Sequence, residues 1–190
     1  MRALPGLLLT LAIGAATGLG LTALSVGRST GAGTFRIGPW LVTPKAGTAE
    51  ADPYARAVAA RLGTLPLALA DGLALVADQD EAGAALDGRC TYRFNGPVPP
   101  ARYWTLTTAG SDFQPVVRDG FRQGFTSYEV VRGMDGAAEV LVAPQARAGN
   151  WLPSGGAGEL RLVLRLYDTA VATTISAGTP LPSLTKVSCP

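Results

Sequence analysis

The sequence predicts a mainly β chain, an antiparallel β-sandwich or barrel with one short helix, preceded by an N-terminal transmembrane helix. Three observations predict it. Apolar and polar residues alternate with period two through most of the second half. The 24 glycines and 14 prolines cut those runs into short pieces, as the turns between antiparallel strands require. Near the start, a 24-residue stretch from Ala3 to Val26 holds no charged residue.

That stretch, "ALPGLLLTLAIGAATGLGLTALSV", exceeds the roughly 20 residues a helix needs to cross a bilayer core. A signal peptide carries a shorter apolar run, roughly 7–15 residues, before small residues at the cut. The length therefore favours a retained anchor, although Ala23-Leu24-Ser25 also fits a cleavage site. Pro5, Gly14, Gly18 and Gly20 are tolerated in membrane helices. The chain divides into residues 1–27 (anchor or signal peptide), 28–33 (linker) and 34–190 (β-sandwich domain). Arg2 precedes the helix and Arg28, Arg36 and Lys45 follow it, so flanking charge leaves the orientation open. Gly14-x-x-x-Gly18 is a spacing at which two such helices pack closely, compatible with self-association or a protein partner.

The remaining elements follow in order. Thr34 to Val42, "TFRIGPWLV", reads as an edge strand interrupted by Pro39. Asp52-Pro53 opens a helix, the aspartate as cap and the proline at the first turn. Tyr54, Val58, Arg61 and Leu62 follow at helical spacing before Gly63. "LALVAD" (73–78) is a strand, and "DQDEAG" (78–83) a solvated turn. "LDGRCTYRFNG" (86–96) and "RYWTLTTA" (102–109) are further strands. "TSYEVVRGMDGAAEVLVAP" (126–144) reads as a hairpin turning at Asp135-Gly136. In "ELRLVLRLYD" (159–168), Leu160, Leu162, Leu164 and Leu166 face one way, and Arg161, Val163, Arg165 and Tyr167 the other.

There are two cysteines, Cys90 and Cys189, without metal-ligand spacing. Paired, they close a loop of about 100 residues, which chain-entropy reasoning values at up to ~4.7 kcal/mol. A bridge fastening the chain end makes sense in an oxidising compartment, hence a domain facing the periplasm or cell exterior. Two buried free thiols are the other reading.

Charge and residue types exclude several functions. Basic and acidic residues number 16 and 14, with no block of like charge, so there is no nucleic-acid footprint. The chain contains no histidine. That removes Ser-His-Asp and Cys-His catalysis and the usual zinc and non-haem iron sites. No metal site and no cofactor is implied. Asp78, Asp80, Glu81 and Gly83 resemble a calcium loop only in part, since Ala82 and Arg89 stand where ligands belong. Ser183-Leu184-Thr185-Lys186 matches a Ser-x-x-Lys nucleophile pattern, but it lies in a proline-bounded, extended tail. The candidates left are Trp104, Asn150, Trp151, Arg161, Arg165 and Tyr167. The plain reading gives the tryptophans to packing and the arginines to a solvated sheet face. The sharper one is a cleft in which guanidinium groups hold an anionic group beside an aromatic wall.

At these residues the chain resembles a known family. "LDGRCTYRFNGPVPPARYWTLT" (86–107) with "GNWLPSGGAGELRLVLRLYD" (149–168) is similar to the domain of unknown function 1214 family. "IGPWLVTPKAGTAEADPYARAVAARLG" (37–63) resembles the opening of its short, membrane-anchored bacterial members. The resemblance spans roughly residues 34–190 and implies a jelly-roll-like sandwich without an established activity. In larger relatives a second domain, of unknown function 1254, precedes this one; here an anchor takes its place. The chain departs from the family at "ALADGLALVADQD" (68–80) and after Thr108, where "AGSDFQPVVRDG" replaces an aromatic-acidic continuation.

Together these readings give a single-pass protein of the bacterial inner membrane, its sandwich facing the periplasm as a binding or structural module with an unidentified small-molecule ligand. The alternative is a metal-free hydrolase or lyase acting on a carbohydrate or small anion through carboxylates such as Asp87.

Overall fold

Helix α1 (Ala3–Arg28) opens the chain. Its stretch Leu4–Leu24 has a mean hydropathy of 1.9 and no buried residue. At about 1.5 Å per residue it rises roughly 30 Å, the thickness of a bilayer's hydrocarbon core. The hydroxyls of Thr10, Thr17 and Thr22 each donate back to a carbonyl of the preceding turn, Leu7, Ile13 and Gly18 respectively. The polar groups inside the apolar run are thus satisfied by the helix itself, as a hydrocarbon environment demands. One such helix near the N-terminus fits a single-pass anchor or a signal sequence.

The computed structural model describes residues 3–28, 33–117, 119–134, 136–156 and 158–190. Beyond α1 these form a two-sheet sandwich. The larger sheet runs β1 (Phe35–Ile37), β2 (Trp40–Val42), β3 (Gly72–Ala77), β9 (Arg161–Tyr167), β5 (Tyr103–Ala109), β6 (Gly124–Thr126). The smaller runs β10 (Ser183–Ser188), β4 (Thr91–Asn95), β7 (Val140–Ala143), β8 (Trp151–Pro153). Helices α2 (Pro53–Leu62) and α3 (Val171–Thr174) complete the elements. Ten strands among the described residues, six and four, exceed the eight of a jelly roll.

Both sheets bury into one core. Leu75, Leu106, Leu164 and Val42 from the larger sheet and Phe94, Val140, Leu152 and Leu184 from the smaller are all fully inaccessible. Trp40 joins the two layers. Its ring stands edge-on to Phe94 at 6.1 Å, and its Nε1–H donates to the Pro182 carbonyl at 2.7 Å. Gly72 marks where β3 meets β9 most closely, because a Cβ there would lie 2.0 Å from the Leu166 carbonyl oxygen. Cys90 and Cys189 form a disulfide across a sequence separation of 99. It fastens the chain end beside β10, which pairs with β4 through Leu184↔Phe94 and Thr185↔Arg93.

Several elements differ from the sequence reading, each for a physical reason. "TFRIGPWLV" is a hairpin rather than one interrupted strand. Gly38 (φ 54) and Pro39 turn the chain so that Ile37 pairs with Trp40. Helix α2 has the expected caps: the Asp52 carboxylate accepts from the Ala55 N–H at 3.0 Å, and Gly63 ends it in the left-handed region. Its inward face, however, is Ala55, Val58, Ala59 and Leu62, all half-buried, while Tyr54 and Arg61 are exposed, Arg61 at the rim. Residues 78–83 are not simply a solvated turn. Asp80 is buried, and its carboxylate accepts the N–H groups of Ala82 and Ala84.

The hairpin expected over 126–144 does not form as such. β6 pairs with β5 in one sheet and β7 with β4 in the other, and among the described residues the two arms are bridged at Arg132↔Ala138. The turn residue Asp135 lies outside the described residues. The smaller sheet is also not purely antiparallel, because β7 and β8 run parallel, Val142 beside Leu152. Parallel neighbours ordinarily need a connection of a dozen residues or more. Residues 144–150 suffice here because the strands are so short that the chain need return only a few ångströms.

The disulfide generates the first prediction. Free-thiol labelling of denatured, unreduced protein is expected to find no reactive cysteine. The double substitution Cys90→Ser/Cys189→Ser is expected to lower the unfolding free energy by about 2–4 kcal/mol in urea titrations. Two labelled thiols in the native chain would overturn the pairing.

Candidate ligand-binding groove

β9 is the central strand of the larger sheet, flanked by β3 and β5. Strand periodicity sends Leu162, Leu164 and Leu166 into the core and leaves Arg161, Val163, Arg165 and Tyr167 on the outer face. The neighbours of Arg165 across the ladder are small: Ala74 on β3 and Thr105 on β5. Those of Val163 are Val76 and Thr107. Short side chains on both sides of a long strand leave a trough along its outer surface. Helix α2 and the segment 64–67 roof that trough on the β3 side and with it line an open-sided cavity of about 360 Å³. A second hollow of about 320 Å³ lies on the β6 side. Phe113, Val163 and Arg165 line both, so the two hollows adjoin along the groove with Arg165 between them.

Arg161 and Arg165 are in different states. Arg161 is fixed: its Nη1 donates to the Ser111 carbonyl at 2.6 Å, and its guanidinium lies 4.3 Å from the Phe113 ring centroid. Arg165 is half-buried and has one long contact, to Thr107 Oγ1 at 3.5 Å. Among the described residues no carboxylate lies within ion-pair distance of it. The acid of the cavity wall, Asp78, is taken by Arg36 at 2.9 Å. Across β6, Glu129 is held by Thr126, whose hydroxyl donates at 2.8 Å and whose N–H donates at 3.1 Å. These bonds keep its carboxyl below the ordinary range. Arg165 is therefore a partly desolvated cation without an anion, in a groove whose acids are already engaged.

The other residues singled out in the sequence lie elsewhere. Trp104 is in the core, with Arg132 5.9 Å from its ring on the outside. Asn150 and Trp151 belong to the smaller sheet, where they hold the start of β8. The Asn150 side chain accepts from the Val131 N–H at 2.9 Å and donates to the carbonyls of Val131 and Glu139 at 2.6 and 2.8 Å. Trp151 donates to the Ala143 carbonyl at 3.0 Å and stands edge-on to Phe121. Tyr167 shares the outer face of β9 but sits at its far end, its ring tilted against Tyr103 at 5.8 Å, which in turn meets Tyr128. The structure thus brings Arg161 and Arg165 together and separates them from both tryptophans. Sequence reasoning missed Val58, Leu62 and Phe113. Their apolar character was visible, but the fold that lays residues 53–67 over β9 was not.

Asp87, the carboxylate of the hydrolytic alternative, is engaged too. Arg89 grips it through Nη2 at 2.6 Å and Nε at 3.0 Å from the same oxygen. These side-chain hydrogen bonds, helped by the Arg89 backbone N–H, hold its carboxyl down at about 2. A group ionised at every physiological pH does not serve as a general acid.

The family model for "Protein of unknown function (DUF1214)" matches residues 71–171, more than half of the chain and all of the groove's floor on β3, β5 and β9. The chain belongs to the DUF1214 family. This DUF1214 chain matches no curated protein. It is similar in fold to the crystal structure of the VPA0106 protein from Vibrio parahaemolyticus, with a TM-score of 0.58 and 17% identity over 93% of this chain. It spans 44% of that protein's length, so less than half of it. A crystal structure of an uncharacterized protein from Burkholderia cenocepacia matches 65% of this chain and 32% of its own, at 22% identity and a TM-score of 0.42.

The Asp87–Arg89 pair supplies the second prediction. Its carboxyl pKa lies below the ordinary 3.8, so its contribution to stability is complete above that value and lost as pH falls through about 2. Carboxyl-carbon NMR titration is expected to place the Asp87 midpoint near 2. Arg89→Gln is expected to return it toward 3.8. An unchanged midpoint in the variant would overturn the assignment.

Proposed function

We propose that this protein is a membrane-anchored binding module of the bacterial envelope. α1 is retained in the inner membrane, the sandwich faces the periplasm, and the outer groove of the larger sheet binds a ligand bearing a carboxylate or phosphate. The observation that carries this reading is Arg165, a half-buried guanidinium with no carboxylate partner among the described residues, open to a cavity on either side. Buried cations are normally paired, and one left unpaired at the centre of a groove is matched by an anion from outside. A guanidinium fork suits planar, two-oxygen anions best. The disulfide supports an oxidising compartment, and the uncharged stretch Leu4–Leu24 of α1 supports the anchor.

Two measurements test it. With the full chain in nanodiscs, titration with acetate or inorganic phosphate is expected to shift the Arg165 Nε–H NMR signal saturably, beyond the effect of chloride at equal ionic strength. No shift specific to Arg165 would sink the binding reading. For the topology, alkaline phosphatase fused after Pro190 is expected to be active in cells, with residues 3–26 still present in the purified protein. An inactive fusion, or a mature chain starting near residue 26, would refute the anchored, periplasm-facing arrangement.

A further inference from the structure

The groove's roof carries information that Arg165 alone does not. Helix α2 turns Ala55, Val58, Ala59 and Leu62 toward the sheet, spaced for one face, yet none of its residues is fully buried. Half-buried Leu41 and Val76 face them from the floor, beside Val163, which is already covered, and the space between is the cavity of about 360 Å³. A helix laid over a sheet ordinarily closes that gap with its own side chains, since protein interiors are close-packed. Here two apolar walls stand apart, and the volume lies at the lower end of the roughly 300–1,000 Å³ of ligand sites.

The charge on these walls is one-sided. Arg61, Arg161 and Arg165 line the cavity, and its one acid, Asp78, is paired with Arg36. The location is also constrained by covalent geometry. Thr34 lies on the cavity wall, six residues after α1 ends at Arg28. Six residues reach at most about 20 Å, so a retained anchor holds the cavity within that distance of the helix end. The roof helix α2 is itself in contact with α1.

We infer that the groove takes a single acyl chain with an anionic head drawn from the adjacent membrane surface, the chain between α2 and the sheet and the head on Arg165. This rests on the binding reading above and specifies its ligand. The chain supplies the apolar filling that the walls lack, and the carboxylate or phosphate supplies the missing counter-ion.

The test uses the full chain in phosphatidylcholine nanodiscs with a diazirine-bearing palmitate, crosslinked peptides being mapped by mass spectrometry. Labelling of residues 53–67 is expected, with labelling of α1 as an internal reference for probe dissolved in the bilayer. Unlabelled palmitate or lysophosphatidate is expected to compete at 53–67 about tenfold better than hexadecanol, because the alcohol lacks the charge-assisted bonds to Arg165. Whichever of the two competes more strongly identifies the head group, carboxylate or phosphate. Arg165→Gln and Val58→Trp, the latter filling the space beneath α2, are each expected to cut labelling of 53–67 several-fold relative to α1, by losing the head contact or the chain's volume. Residues 53–67 labelled no more than background, or competed equally by hexadecanol, would overturn the inference. If acetate or phosphate still shifts Arg165 while 53–67 stays unlabelled, the binding module stands and the acyl ligand falls. If neither occurs, both fall together.

Discussion

The two-residue period of β9, at the centre of the larger sheet, is the constraint from which most of this structure follows. Leu160 and the three leucines of the strand are at most 2% exposed. Burying a leucine contributes about 1.5–3 kcal/mol, whereas an unpaired guanidinium in the same place costs several. A slip of one residue would exchange the two sets, so the register is strongly determined. Once it is set, Arg161 and Arg165 must share the opposite face, two positions either side of Val163. The cationic groove is a consequence of the core and not a separate design. Its floor is as rigid as the ladder beneath it, since β9 is hydrogen-bonded on both edges.

The smaller sheet has no comparable strand, and other means hold it to the first. Buried polar groups are paired here: Thr108 of β5 donates across the seam to the Pro153 carbonyl of β8 at 2.9 Å, and beside the smaller sheet Ser154 donates to the Gly88 carbonyl at 2.5 Å. The Glu81 N–H reaches the Leu184 carbonyl at 2.9 Å, which ties the 78–83 turn to β10. Left unpaired, each such group would cost about 1–3 kcal/mol, so these contacts select the docking of the sheets as much as they stabilise it. The disulfide acts on the same weak point from outside. β10 is an edge strand, hydrogen-bonded on one side to β4, and Cys189 closes it onto Cys90.

Legibility in the sequence followed the range of the interaction responsible. α1 was legible because its signal is a single uninterrupted run. The ends of α2 were legible because Asp52, Pro53 and Gly63 act within one turn. The two faces of β9 were legible because leucine recurs at every second position from 160 to 166, with Arg161, Val163 and Arg165 between. By contrast, "RYWTLTTA" contains aromatic residues in both phases, and only its pairing with β9 sends Trp104 and Leu106 inward. The sequence stretch 126–144 carried a strong local turn signal, but the cross-sheet pairings of β6 and β7 outweighed it. Asn150 and Trp151 drew notice as a polar-aromatic pair beside glycines. Their role is to start a three-residue parallel strand, a geometry with no short-range signature. The arginines of the groove could be placed on one face from sequence, but the roof above them, about 100 residues earlier in the chain, could not.

The same difference in range separates the rigidity of the groove's two walls. The floor belongs to the central strands of a hydrogen-bonded sheet. The roof is a ten-residue helix, and isolated helices of that length are marginal in water. Its end groups are well served, by Asp52 at one end and by the Gly63 N–H bonding to Ala59 and Ala60 at the other. Arg56 also holds the preceding loop through the carbonyls of Ala49 and Ala51. What the helix lacks is burial, so its attachment to the sheet is weaker than any strand's attachment to its neighbour. An apolar chain lying beneath it would give contacts to the least buried element of the groove and leave the floor unchanged. Energetically, the groove is thus a fixed cationic surface beneath a cover with no fully buried residue of its own.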